Sequence, residues 1–220
     1  MDKRQATLHP CIRASGAQLA PCWIIFRGKG NITAGERDFL NSLTNIRWAF
    51  QPKAWADGEY TMEWAVAYCD MLEKECPDED HLLLLDELSC QMSDLIQRYF
   101  RSRRVLPVYI PGGCTDVLQP VDHHFGAIFK MVMNLFYKTE LELNFSEWRD
   151  YKSNGSLSQS KRRMLMAMWA DNTWGLLRTE GSFTHKCFVN TVLIKKDGSH
   201  SLKMKRLRRD YKPKLKPNSN

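Results

Sequence analysis

The 220-residue chain predicts an α/β domain, and three observations carry that expectation. Cys22-Trp-Ile-Ile-Phe26 and His81-Leu-Leu-Leu-Leu-Asp86 are short apolar runs bounded by turn residues, the pattern of buried strands. Longer stretches after them place apolar residues at i, i+3 and i+4, the stripe of a helix packed on a core. The two patterns alternate along the chain, as in folds that lay helices on a mostly parallel sheet. A composition of 43% apolar residues with seven Trp, ten Phe and seven Tyr supplies a real core and excludes a chain disordered throughout. The length fits one domain with a short appendage.

Residues 4–27 read as two short strands joined as a hairpin, with Ser15-Gly16 as the turn and Pro10 demoting the first strand to an edge or marking a bulge. Gly28-Lys29-Gly30 lacks the spacing and the following Lys-Ser/Thr of a phosphate loop and reads as an ordinary turn. Asp57 caps a helix running to about Glu75, with Met62, Ala65, Val66, Cys69 and Leu72 as its buried stripe. The four leucines 82–85 predict a strand covered on both faces, in the middle of a mostly parallel sheet, with Asp86 at its C-terminal end. Ser93–Arg103 predicts a helix with Leu95, Ile96, Tyr99 and Phe100 inward, and Val105–Ile110 a strand interrupted by Pro107. The breaker-rich loop Pro111–Asp122 is long enough to be functional. Asp122 then reads as the N-cap of a helix whose face holds Phe125, Ile128, Phe129, Val132, Met133 and Phe136. A Ser-rich connector over 144–160 precedes a helix from Ser160 to about Leu177, with Leu165, Met168, Trp169 and Leu176 inward, and a weaker helix near Phe183–Val192. The expected organisation is a domain over 1–143, a helical extension over 144–194 and a basic disordered tail over 195–220.

Lys and Arg number 32 against 25 acids, a net charge of +7 that favours a polyanionic partner. The tail from Lys195 alone carries ten basic and two acidic residues, so the other 194 sum to about −1. Lys203, Lys205, Arg206, Arg208 and Arg209 put five cations into seven residues, a density suited to phosphate contacts or nuclear import. Seven Cys without a C-x-x-C pair predict reduced, mostly buried thiols and an intracellular protein. No apolar run approaches 18 residues and no signal peptide opens the chain, so no membrane span is expected. Cys114 has no partner placed to make it a nucleophile, and Trp55, Trp64, Trp169 and Trp174 read as core aromatics.

Chemistry concentrates on two carboxylates. Asp86 closes a central strand and Asp122 opens the next loop–helix junction, positions where an α/β sheet collects ligands. Carboxylates so placed suit Mg²⁺ or Mn²⁺, which take oxygen ligands and complete their shells from phosphates. Asp116 is an alternative acid, and Asp57 reads as a cap.

Five segments, Lys3-Arg-Gln-Ala-Thr-Leu8, Ile24-Ile-Phe-Arg-Gly-Lys-Gly30, Trp55-Ala-Asp57 with Trp64, Leu82-Leu-Leu-Leu-Asp86-Glu-Leu-Ser and Thr115-Asp-Val-Leu-Gln-Pro-Val-Asp122, together resemble the DDE-type transposase catalytic domain of the pogo, Tigger and jerky group. The resemblance covers about residues 3–140 and continues weakly through Lys161–Trp174. It implies an RNase H-like mixed sheet flanked by helices, DNA as substrate, and a triad of acids holding Mg²⁺ or Mn²⁺. Asp86 matches the second acid and Asp122 the third; the first belongs on a strand before Lys3, where only Met1 and Asp2 stand. Glu87 replaces the family's usual Asn, and His123-His124 replace small or apolar residues. The expectation is therefore a transposase-derived DNA-binding domain, N-terminally truncated and catalytically defective, located in the nucleus. The alternatives are a non-enzymatic, host-recruited protein with nuclear protein partners, or a fragment of a longer active transposase.

Overall fold

In the computed structural model, residues 5–14, 20–144, 157–179, 181–191 and 193–194 are described, without the side chains of residues 116, 123 and 181. The basic residues 203–209 and Asp2 lie outside them. The architecture is mixed α/β, small sheets flanked by helices, of RNase H-like type. The chain forms two compact units. One takes in the described residues of Met1–Cys11, Ala20–Ala56 and Ala127–Glu180; the other those of Ile12–Leu19, Asp57–Gly126 and Gly181–Asn220.

The first unit is built on a three-stranded sheet. β1 (Ala6–His9) pairs antiparallel with β2 (Cys22–Arg27), Ala6 opposite Phe26 and His9 opposite Trp23. β1 stops before Pro10 and lies at an edge, as a proline requires. β2 also pairs in parallel with β3 (Ile46–Gln51). Between them runs α1 (Ala34–Ser42), whose N-cap Thr33 accepts from the Glu36 amide at 3.2 Å. Neither α1 nor β3 is among the sequence expectations. Both left signals: Thr33 followed three residues on by Glu36, and the alternation Ile46, Trp48, Phe50.

The long helix Gln159–Arg178 closes this unit with two polar attachments. Glu36, 2% exposed, accepts from Arg163 Nε at 2.6 Å, Arg163 Nη2 at 2.8 Å and Ser160 Oγ at 2.6 Å. Asp171 accepts from the Asn45 amide at 2.7 Å and from Asn45 Nδ2 at 3.2 Å, and Arg178 donates to Asn45 Oδ1 at 3.0 Å. A Cβ on Gly175 would stand 3.1 Å from Asn45 Nδ2, so a glycine inside this helix permits the approach. Trp174, fully buried, donates from its indole to the Ala20 carbonyl at 3.2 Å and meets Phe129. Leu176, expected inward, is 57% exposed, because the polar attachments turn the helix so that Ala170, Thr173, Trp174 and Leu177 face the core.

The second unit holds α2 (Gly58–Glu75), β4 (His81–Asp86), α3 (Asp94–Ser102) and β5 (Val105–Ile110). Asp57 caps α2 by accepting from the Tyr60 amide at 2.9 Å, and Ser93 caps α3. Trp64, Phe100 and Ile96 form its core, with Trp64 edge-on to Phe100. β4 pairs in parallel with β5, and the expectation of a doubly covered central strand is corrected: Leu83 and Leu85 are buried, whereas Leu82 is 61% exposed. Within a two-stranded sheet alternate residues face opposite ways, and only one side is packed. Leu95 is likewise outward, on the far side of α3 from Ile96 and Phe100. Pro107 is tolerated because β5 is an edge strand among the described residues.

Candidate functional site

Parallel pairing brings the ends of β4 and β5 to one rim, with Asp86 in register with Ile110. Loops leaving parallel strands on the same side meet there, which is why such rims gather ligands. Asp86 Oδ1 accepts from the Glu87 amide at 2.9 Å and stands 3.4 Å from Thr115 Oγ1. Glu87 accepts from the Gly112 amide at 2.8 Å, and the Tyr109 hydroxyl donates to the Gln91 carbonyl at 2.8 Å. A Cβ on Gly112 would lie 3.2 Å from the Glu87 carboxylate, a tight contact that glycine avoids. Glu87, the departure from the family pattern, thus serves as the latch between the two rim loops.

The expected breaker-rich loop is partly helical. A short turn α4 (Thr115–Leu118) follows Cys114, which is buried. A wide helical turn of π type then runs over Val121–Phe125 and leads into α5 (Gly126–Leu143). Asp122 is therefore not an N-cap: Pro120 precedes the turn, and Asp122 lies inside it, exposed, with its amide donating to the Gln119 carbonyl at 3.1 Å. Such wide turns recur at functional positions. Its far end is anchored by Phe125, fully buried and stacked on Phe183 at 5.8 Å; Phe183 belongs to α7 (Gly181–Asn190), taking the helix Gln159–Arg178 as α6. His124 is exposed, its ring 6.0 Å from that of Phe183, and points to no metal role.

The rim thus joins Asp86 to Thr115 at the start of the segment that carries Asp122. Asp57 is the α2 cap it was expected to be. Two buried side-chain oxygens on the segments that follow β4 and β5, Gln91 Oε1 and Gln119 Oε1, have no hydrogen-bond partner, and no spacing pattern announces them. Among the described residues no three His, Cys, Asp or Glu side chains come together to hold an ion. Asp86 and Asp122 are hard oxygen donors of the kind such ions take, and the two other acids weighed for the site, Asp2 and the side chain of Asp116, lie outside what is described.

Charge is divided sharply along the chain. Residues 57–126, which hold Asp86 and Asp122, carry five basic and fourteen acidic residues, net −9. Stretches 20–35 and 39–56 of the first unit carry no acid and four cations, Arg27, Lys29, Arg47 and Lys53. Trp64, Trp169 and Trp174 are buried, as expected for core aromatics; Trp55 is not, at 53% exposed, because the tight turn before it buries Ala54 instead.

No helix among the described residues is long and apolar enough to cross a membrane. No curated protein and no solved structure matches the chain. The family model for DDE superfamily endonucleases matches residues 3–172. Nucleases of that superfamily act on nucleic acid and typically use divalent metals. The strand end bearing Asp86, the turn bearing Asp122 and the α/β architecture lie inside the matched span, and the chain belongs to the DDE superfamily of endonucleases.

Proposed function

We propose that the chain is a DNA-binding domain of transposase descent, ancestrally a metal-dependent phosphodiester cleavage and strand-transfer module, and catalytically defective in its present form. The observation that supports this reading is the match to DDE superfamily endonucleases over residues 3–172, a span that holds Asp86 at its strand end and Asp122 in its helical turn, with no group of three metal-ligating side chains among the described residues. One Asp86 oxygen already accepts from the Glu87 amide and faces Thr115. The net −9 of residues 57–126, unless neutralised, repels phosphate, so DNA is held by basic residues elsewhere. Lys203, Lys205, Arg206, Arg208 and Arg209 are the proposed phosphate contacts and serve import to the nucleus.

The test joins three measurements on the full chain. Calorimetric titration with Mg²⁺ or Mn²⁺ is expected to show weak binding that Asp86→Asn abolishes. Supercoiled plasmid is expected to stay intact with either ion; nicking lost in Asp122→Asn would overturn the defect. Duplex binding is expected to weaken on the order of 10²-fold or more between 50 and 200 mM salt for five phosphate contacts. Removing residues 195–220 is expected to abolish most of that salt dependence. No binding of DNA at 50 mM, duplex or single-stranded, would refute DNA as partner.

A second reading, a non-enzymatic nuclear protein-interaction module, draws support from Leu82 and Leu106. These are paired across β4 and β5 and are 61% and 52% exposed. It requires that Leu82→Lys abolish retention of a nuclear protein while DNA binding stays unchanged.

A further inference from the structure

The DNA-binding reading assigns its contacts to the basic tail, but the first unit carries a surface of its own. β2 and β3 are parallel and end together, Arg27 in register with Gln51. The segments beyond them adjoin: the Gly28 amide donates to the Gln51 carbonyl at 3.0 Å, and Gly28 and Gly30 lie against the Phe50 ring. From these two adjoining segments rise Arg27, Lys29 and Lys53, all exposed. Lys29 and Lys53 form no ion pair among the described residues.

Trp55 follows Lys53 by two residues, on the same segment. The Ala54 amide donates to the Gln51 carbonyl at 3.0 Å, closing a tight turn, and Ala54 is fully buried with φ of 55°. A left-handed conformation in a residue with a Cβ costs about 1 kcal/mol or more and persists where the surroundings impose it. Its effect here is to hold the chain so that alanine is inside and the following indole is half in solvent. A half-buried indole is oriented rather than loose, and its open part is an aromatic platform. The strand beneath is braced: Phe50 packs on Phe26 at 5.6 Å and edge-on to Trp48 at 6.0 Å, and the Arg163 guanidinium lies 5.7 Å above its ring.

We propose that the rim formed by the ends of β2 and β3 binds an unpaired nucleotide strand, with Trp55 as the stacking platform and Arg27, Lys29 and Lys53 as the phosphate contacts. This deepens the DNA-binding reading and rests on it. Cations that track a phosphate backbone, interleaved with an exposed aromatic that takes a base on its face, are the minimal equipment of single-strand binding. A duplex offers its phosphates to the cations but hides its base faces from the indole. The rim of β4 and β5, in the acidic stretch 57–126, has the opposite sign and repels the same ligand. The shared chemistry is an unpaired sugar–phosphate strand, whether DNA or RNA.

The experiment measures fluorescence anisotropy of labelled 20-mer oligo(dT), oligo(U) and a duplex of equal length with the full chain, across 50–200 mM salt. Trp55→Ala is expected to weaken binding to the preferred single strand on the order of 10-fold while changing duplex binding less than twofold. Trp55→Phe, which keeps a ring, is expected to retain affinity within about threefold. Lys29→Gln with Lys53→Gln is expected to reduce the slope of log affinity against log salt by about 1.4 on the single strand. Tighter binding of oligo(dT) or of oligo(U) identifies the source of the strand, and either supports the proposal if it depends on Trp55. Duplex binding without single-strand binding, or single-strand binding indifferent to Trp55→Ala, overturns this inference and leaves the DNA-binding reading standing. Binding of none of the three oligonucleotides overturns both.

Discussion

The attachment of α6 to α1 makes the sharpest energetic prediction. Glu36 is 2% exposed and its oxygens take three short donors, Arg163 Nε, Arg163 Nη2 and Ser160 Oγ, across more than 120 residues of chain. Glu36→Ala removes the carboxylate and leaves the guanidinium, whose side chain is 18% exposed, without its counter-ion. Breaking a buried pair from one side costs about 3–5 kcal/mol. Arg163 keeps a path to water and its contact with Phe50, so the expected loss is at the lower end, about 3 kcal/mol. For a chain of this length that lowers the melting temperature by roughly 6–12 °C. Urea unfolding of the full chain should show a lower midpoint with an unchanged slope. The pH dependence is a second, independent check. Burial alone would raise the Glu36 carboxyl, but the hydrogen bonds from Arg163 and Ser160 and the Arg163 charge outweigh it and hold the group below its ordinary range. A depressed carboxyl contributes stability above its unfolded value, about 4.3, and loses it as pH falls through the folded value. The stability gap between the native chain and Glu36→Gln should therefore be constant from pH 7 to about 5 and close below about 4. A loss under about 1 kcal/mol for Glu36→Ala, the size of an exposed pair, would refute the clamp.

Two further measurements probe the same unit. Asp171→Ala strands the part-buried Asn45 amide and is expected to cost about 2 kcal/mol in the same unfolding assay; a neutral result would show that this attachment does not help hold α6. Burial lowers the His9 imidazole to about 4, so the neutral ring stabilises the fold above its unfolded value near 6.5 and that stability is lost as pH falls from 6.5 towards 4. His9→Gln should flatten the stability profile over that window, by about 2 kcal/mol for a half-buried ring, and an unchanged profile would sink the assignment.

Much of the fold was legible because local signals and tertiary demands coincide. Asp57 caps α2 in the sequence and in the structure, and β5 keeps its predicted bounds despite Pro107. The errors share a cause: periodicity states which residues are apolar, not which neighbours exist to cover them. Four consecutive leucines suggested cover on both faces of β4, and Leu82 turned out exposed; Leu95 and Leu176 fell on the wrong sides of their helices for the same reason. Asp122 looked like a cap because an acid preceded an apolar stripe, but Pro120 starts the helical turn two residues earlier and opens it wide. Asp86 was placed correctly at its strand end, since turn residues bound the run on both sides. Its partnership with Thr115 and the latch from Glu87 to Gly112 depend on loop geometry that no spacing rule encodes.

The two compact units are interleaved along the chain, which passes between them five times. No single cut therefore releases either one intact, and a fragment that ends inside residues 20–180 lacks pieces of both at once. An expression fragment spanning only residues 57–126 would lack the α7 phenylalanine that stacks on Phe125, and one ending before residue 159 would leave Glu36 and Asn45 without their counterparts. Point substitutions and removal of residues 195–220, rather than dissection into the two units, are the workable genetics of this protein.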